Sequence, residues 1–68
     1  MHKFPQVLKE LRQEHDLTQT QLAEKLGYRG ATVISNWELG ERTPDLENLI
    51  AIANFFKVSL DDLVGREY

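Results

Sequence analysis

Cysteine is absent from the 68-residue chain, so neither a disulfide framework nor a thiolate zinc site is available to hold it together. Folding must rest on packing alone. No apolar run approaches the ~18 residues of a membrane span, and the chain opens without the apolar stretch of a secretory signal. A cytoplasmic location with no membrane partner is expected. Histidine is scarce: His2 stands at the terminus, His15 near a helix end, and neither has a partner at catalytic or metal-binding spacing. No catalytic residue, metal or cofactor is expected, and the chain does not read as an enzyme. At this length folding removes only about 60% of the unfolded surface from water, enough for one thin core and no ligand-binding domain. The chain therefore reads as one small domain over residues 1–68.

The net charge of -3 argues at first sight against a polyanionic partner. Its distribution says otherwise. Up to Arg42 six basic residues (Lys3, Lys9, Arg12, Lys25, Arg29, Arg42) balance six acidic ones, and the whole acidic excess lies beyond, in Asp45, Glu47, Asp61, Asp62 and Glu67. Any anion-binding surface belongs to the first two thirds.

No stretch alternates with a period of two, whereas five segments follow the helical period, which predicts an all-α bundle. Phe4, Val7, Leu8 and Leu11 mark a first helix with Pro5 in its first turn and an end near His15 or Asp16. His15 there suits the negative end of the helix dipole. Thr18-Gln19-Thr20-Gln21 is a capping box opening a short second helix, with Leu22, Ala23 and Leu26 inward and Gly27 as its left-handed exit. After the turn Tyr28-Arg29-Gly30, Val33, Ile34 and Trp37 share one side of a third helix closed by Gly40. Thr43-Pro44 predicts an N-cap and N1 proline for a fourth, whose Leu46, Leu49, Ile50, Ile52, Ala53 and Phe56 make it the expected hub. Ser59 caps a fifth, whose Leu60, Leu63 and Val64 complete the expected core.

With Ile34 and Trp37 inward, Thr32, Ser35 and Asn36 fall together on the opposite face. That face is polar but uncharged. Solvated faces usually carry lysine and glutamate, whereas short hydrogen-bonding groups suit base edges in a major groove about 12 Å wide, and an asparagine amide matches N6 and N7 of adenine. The alternative is an ordinary exposed face. Trp37 as an exposed stacking platform is disfavoured by its spacing from Ile34. Gln19 and Thr20 sit beside the free N–H groups that open the second helix, a natural place for phosphate. Arg29 and Arg42 flank the third helix as phosphate partners or as plain solvated side chains. Arg12, at the edge of an apolar stripe, needs a carboxylate, and Glu38 is the one within reach of the third helix's inner side.

The strings Leu8-Lys9-Glu10-Leu11-Arg12, Leu17-Thr18-Gln19 with Leu22-Ala23-Glu24-Lys25-Leu26-Gly27, Ile34-Ser35-Asn36-Trp37-Glu38 with Gly40, Arg42 and Pro44, and Val58-Ser59-Leu60-Asp61-Asp62-Leu63 resemble the Cro/repressor-type (xenobiotic-response-element-like) helix-turn-helix family of transcription regulators. The resemblance covers Val7 to Val64. It implies a five-helix, lambda-repressor-like DNA-binding domain with the helix-turn-helix at about residues 18–39, its third helix in the major groove, often as a homodimer on a near-palindromic operator of double-stranded DNA. By the same resemblance Gln19 takes a phosphate or neighbouring base, Ala31, Thr32, Ser35 and Asn36 face bases, Arg42 reaches phosphate, and Arg12 and Glu38 form an internal salt bridge. Dimerisation falls to helix five with Phe55, Val64 and Tyr68.

One departure stands out: from Gly27 to Gly40 the chain is one residue longer than the family spacing. Keeping Trp37 inward places the extra residue in Tyr28-Arg29-Gly30, since a wet tryptophan forfeits a few kcal/mol of hydrophobic stabilisation. The start of helix three then stays open between Gly30 and Thr32 as N-cap. The competing function is a protein-interaction or antitoxin-like adaptor on the same fold, which the net acidity favours.

Overall fold

The computed structural model describes residues 3–65, in which five α-helices and no strand occur: α1 (Phe4–Glu14), α2 (Gln19–Lys25), α3 (Thr32–Leu39), α4 (Leu46–Phe56) and α5 (Leu60–Val64). The expectations for His2 and Tyr68 lie outside the described residues. Pro5 occupies the first turn of α1, where its missing N–H costs nothing. Thr18 and Gln21 form both bonds of the capping box, 3.0 Å from the Gln21 N–H to the Thr18 hydroxyl and 2.9 Å from the Thr18 N–H to the Gln21 side chain. Ser59 caps α5 through the Asp62 N–H at 3.0 Å. The His15 ring donates from Nδ1 to the Leu11 carbonyl at 2.9 Å, at the end where orphan carbonyls collect.

Four helices end on one device, a residue with positive φ followed by an N–H that reaches back five positions. The bonds are Leu17 to Arg12, Tyr28 to Ala23, Glu41 to Asn36 and Val58 to Ala53, all 2.8–3.0 Å. This turns Leu17, Tyr28 and Val58 back onto the core. Glycine serves twice, at Gly27 and Gly40, but Asp16 (φ 56°) and Lys57 (φ 60°) fill the same position against the preference of an L side chain. Lys57→Gly is accordingly expected to raise folding stability by about 0.5–1 kcal/mol, the relief of strain exceeding the added freedom of the unfolded chain. A thermal melt reads this as a rise of about 3–6 °C. An unchanged or lower midpoint would show that the lysine side chain compensates.

The core is built from Phe4 and Leu8 of α1, Leu22 and Ala23 of α2, Ile34 and Trp37 of α3, Ile52, Ala53 and Phe56 of α4, and Leu63 of α5. Here the hub differs from expectation. α1 packs most extensively on α3, whereas α4, although it supplies three core residues, packs chiefly on α5 and leaves Leu46 63% and Ile50 42% exposed. Its buried stripe is Ile52, Ala53 and Phe56, with Leu49 half-buried beside it. Leu46 is in line with Leu49 and Ala53 but stands in the first turn of the helix, beyond the end of the core, and Ile50 lies at the edge of the stripe. Leu60 is likewise exposed and Val64 only half-buried, leaving Leu63 as the core residue of α5. The N-cap of α4 is Asp45, accepting from the Asn48 N–H at 2.9 Å, and not Thr43. A carboxylate gains from the helix dipole what a hydroxyl does not, and Pro44 is then buried just outside the helix.

Candidate nucleic-acid interface

The two faces of α3 part as their chemistry requires. Ile34 is fully buried and Trp37 is 4% exposed, so the indole turns inward. On the other side Thr32 is exposed, Ser35 and Asn36 are half-buried, and none of their side chains has a hydrogen-bond partner among the described residues. No side-chain polar atom among the described residues is buried without a partner, so these groups reach solvent. The N-cap of α3 is Ala31, in the right-handed region and without a side-chain bond. Neither Gly30 nor Thr32 holds that position, and Thr32 is the first helical residue. The opening N–H groups of α3 therefore have no side-chain acceptor.

Behind this face a network joins three helices. Arg12 grips Glu38 bidentately, Nε to Oε2 at 2.7 Å and Nη2 to Oε1 at 3.1 Å, and its Nη1 donates to the Leu17 carbonyl at 2.8 Å. The side chains are 12% and 5% exposed, so the pair is close to dry. Gln19 donates its amide to Glu38 Oε1 at 3.1 Å. The sequence treats Gln19 as an outward-facing group. The structure turns it half inward, leaving its second amide hydrogen and backbone N–H for a ligand. Thr20 is exposed beside it, and the capping box leaves the Gln19 and Thr20 N–H groups without an intrahelical acceptor.

Arg29 and Arg42 are exposed at the two ends of α3 and form no ion pair among the described residues. Arg42 is anchored by its backbone, whose N–H approaches the Asn36 carbonyl at 3.3 Å. Ala31 is half-buried at the entry to the helix. Two residues that sequence reasoning missed also bear on α3. The Tyr28 hydroxyl donates to Asn48 Oδ1 at 2.5 Å, and its ring meets Trp37 edge-on with centroids 5.7 Å apart. Burial, and secondarily the Asp45 carboxylate, raises its pKa above the ordinary tyrosine value, so the hydroxyl keeps the proton it donates. The signal available in the sequence was an aromatic residue just after a helix-closing glycine, where an apolar contact back to the helix is usual.

Among the described residues no group of three or more His, Cys, Asp or Glu is placed to hold a metal, and no helix is long and apolar enough to cross a membrane. Residues 8–63 match the family model described as Helix-turn-helix. The chain is 45% identical over 65 residues to the HTH-type transcriptional activator BcrR of Enterococcus faecalis, covering 96% of this chain and 31% of that protein. It is 36% identical over 64 residues to the cryptic phage CTXphi transcriptional repressor RstR of Vibrio cholerae, covering 94% of this chain and 56% of that protein. A crystal structure of a transcriptional regulator from Listeria innocua superposes on the whole chain with a TM-score of 0.88 at 37% identity, and the match takes up 63% of that chain. The chain thus spans about a third to a little over half the length of these two curated relatives. With the fold, the motif strings and these matches in agreement, the chain belongs to the Cro/repressor-type (xenobiotic-response-element-like) helix-turn-helix family of transcription regulators.

Proposed function

We propose that this chain is a sequence-specific reader of double-stranded DNA, in the cytoplasm, that regulates transcription with α3 laid in the major groove. The observation that carries the reading is the face of Thr32, Ser35 and Asn36, polar, uncharged and without internal partners, on a helix whose other side is locked by Ile34 and Trp37. Asn36 and Ser35 take base edges, and Thr32 and Ala31 lie at the entry. Arg29, Arg42 and the opening of α2 at Gln19 and Thr20 take phosphates. Repression is the simpler output, because occupancy of promoter DNA needs no second surface. Of the relatives above, RstR is named a repressor, whereas BcrR, named an activator, is about three times the length of the matched segment.

A second copy on a near-palindromic operator completes the reading. Among the described residues the large apolar side chains left exposed are Leu39, Leu46, Ile50 and Leu60, whereas Phe55 and Val64 are half-buried, Phe55 against Phe56. Helix five alone therefore offers less apolar surface than the sequence suggests. The test is a mobility shift on random duplex over a salt series, with sedimentation of the protein free and bound. Two neutralised phosphates per protomer predict a log–log salt slope of about -2 for non-specific binding. Two protomers per selected site are expected. Absence of binding to any duplex at any salt would falsify the DNA reading and favour the adaptor, for which the acidic α4–α5 end offers a surface.

A further inference from the structure

We propose that Tyr28 is a positioning residue for α3: its hydroxyl on Asn48 and its ring on Trp37 clamp the long turn after α2 to the first turn of α4, and so set where Ser35 and Asn36 stand. This rests on the DNA reading above. The turn between α2 and α3 has little else to hold it. Arg29 and Gly30 are exposed, and a Cβ on Gly27 or on Gly30 would meet nothing within 4 Å. Tyr28 is instead fixed at three points. Its N–H closes α2 on the Ala23 carbonyl at 2.8 Å, its ring stands at 86° to the indole, and its hydroxyl reaches a helix 20 residues further on. Asn48 is itself anchored, because its N–H is taken by the Asp45 cap.

The contact with Trp37 matters for a geometric reason. Trp37 follows Asn36 directly, so a rotation of α3 about its axis that displaced the amide would also drag the indole off the tyrosine ring. The hydroxyl bond prevents the ring from following. Sequence readout depends on placing a short side chain to within a fraction of an ångström, so freedom in this turn is paid in discrimination before it is paid in folding.

Tyr28→Phe keeps the ring and removes the tether, and Asn48→Ala removes the acceptor while sparing the cap, which uses the backbone N–H. Each is expected to weaken binding to a duplex selected from a random pool five- to tenfold and to leave random-duplex binding within twofold. The double variant should lose no more than either single one. In the free protein, the Ser35 amide, which makes the first backbone bond of α3 to the Ala31 carbonyl, should exchange with solvent several-fold faster in both variants. Unchanged exchange with full discrimination, or equal losses on both duplexes tracking a lower melting temperature, would overturn the assignment. A wild-type chain that prefers no duplex would refute the DNA reading instead. The exchange measurement on free protein separates that failure from failure of the clamp.

Discussion

Glu38→Ala is expected to cost about 3–5 kcal/mol of folding stability, because it leaves the Arg12 guanidinium nearly dry and without a carboxylate. For a domain of this size, total stability is on the order of 3–10 kcal/mol, so the variant should be partly unfolded at room temperature. The loss exceeds that of a surface ion pair, ordinarily about 0–1 kcal/mol, for two reasons. The pair is bidentate and largely shielded from water, and the same carboxylate also receives the Gln19 amide, so one truncation strands donors on both α1 and α2. Urea unfolding checks the value. The double variant Arg12→Met, Glu38→Leu should recover most of the loss, since apolar groups of similar volume need no partner. A single-variant loss below about 1 kcal/mol would mean that water reaches the pair after all.

Asn36→Ala should act on recognition with little effect on folding. The side chain has no partner within the described residues and alanine is the better helix former, so the melting temperature should hold or rise slightly. Binding to the selected duplex should fall by about 1–3 kcal/mol, roughly 5- to 150-fold, the worth of one well-placed bidentate contact. Random duplex should be bound as before. Arg42→Ala is the comparison: a phosphate contact is lost equally on every sequence and lowers the salt slope by about 1. If Asn36→Ala lowered both affinities alike, the amide would be a positioning group and base readout would rest on Ser35 and its neighbours.

Much of this molecule is legible in its residues. The Thr18–Gln21 box, the Ser59 cap and the inward side of α3 all follow from groups within four positions of one another, where helix geometry alone decides which atoms meet. Arg12 and Glu38, 26 residues apart, were also foreseeable, because a guanidinium beside an apolar stripe demands a carboxylate and few are on offer. The start of α4 departs from the Thr43-Pro44 expectation for a local reason. Thr43-Pro44 and Asp45 are both sound helix openings, and their competition is settled by the charge of the cap.

Determined by the sequence itself, then, were the five helices, the burial of Trp37 and the presence of a polar face opposite it, since periodicity and capping act over a single turn. Tertiary structure decided that Gln19 bends onto Glu38, that Tyr28 reaches Asn48, and that α4 leaves Leu46 and Ile50 uncovered. Those outcomes depend on how helices nineteen or more residues apart come to rest against each other. A core this thin cannot reach every apolar side chain that periodicity offers, and how far along α4 it extends is a property of the assembled packing.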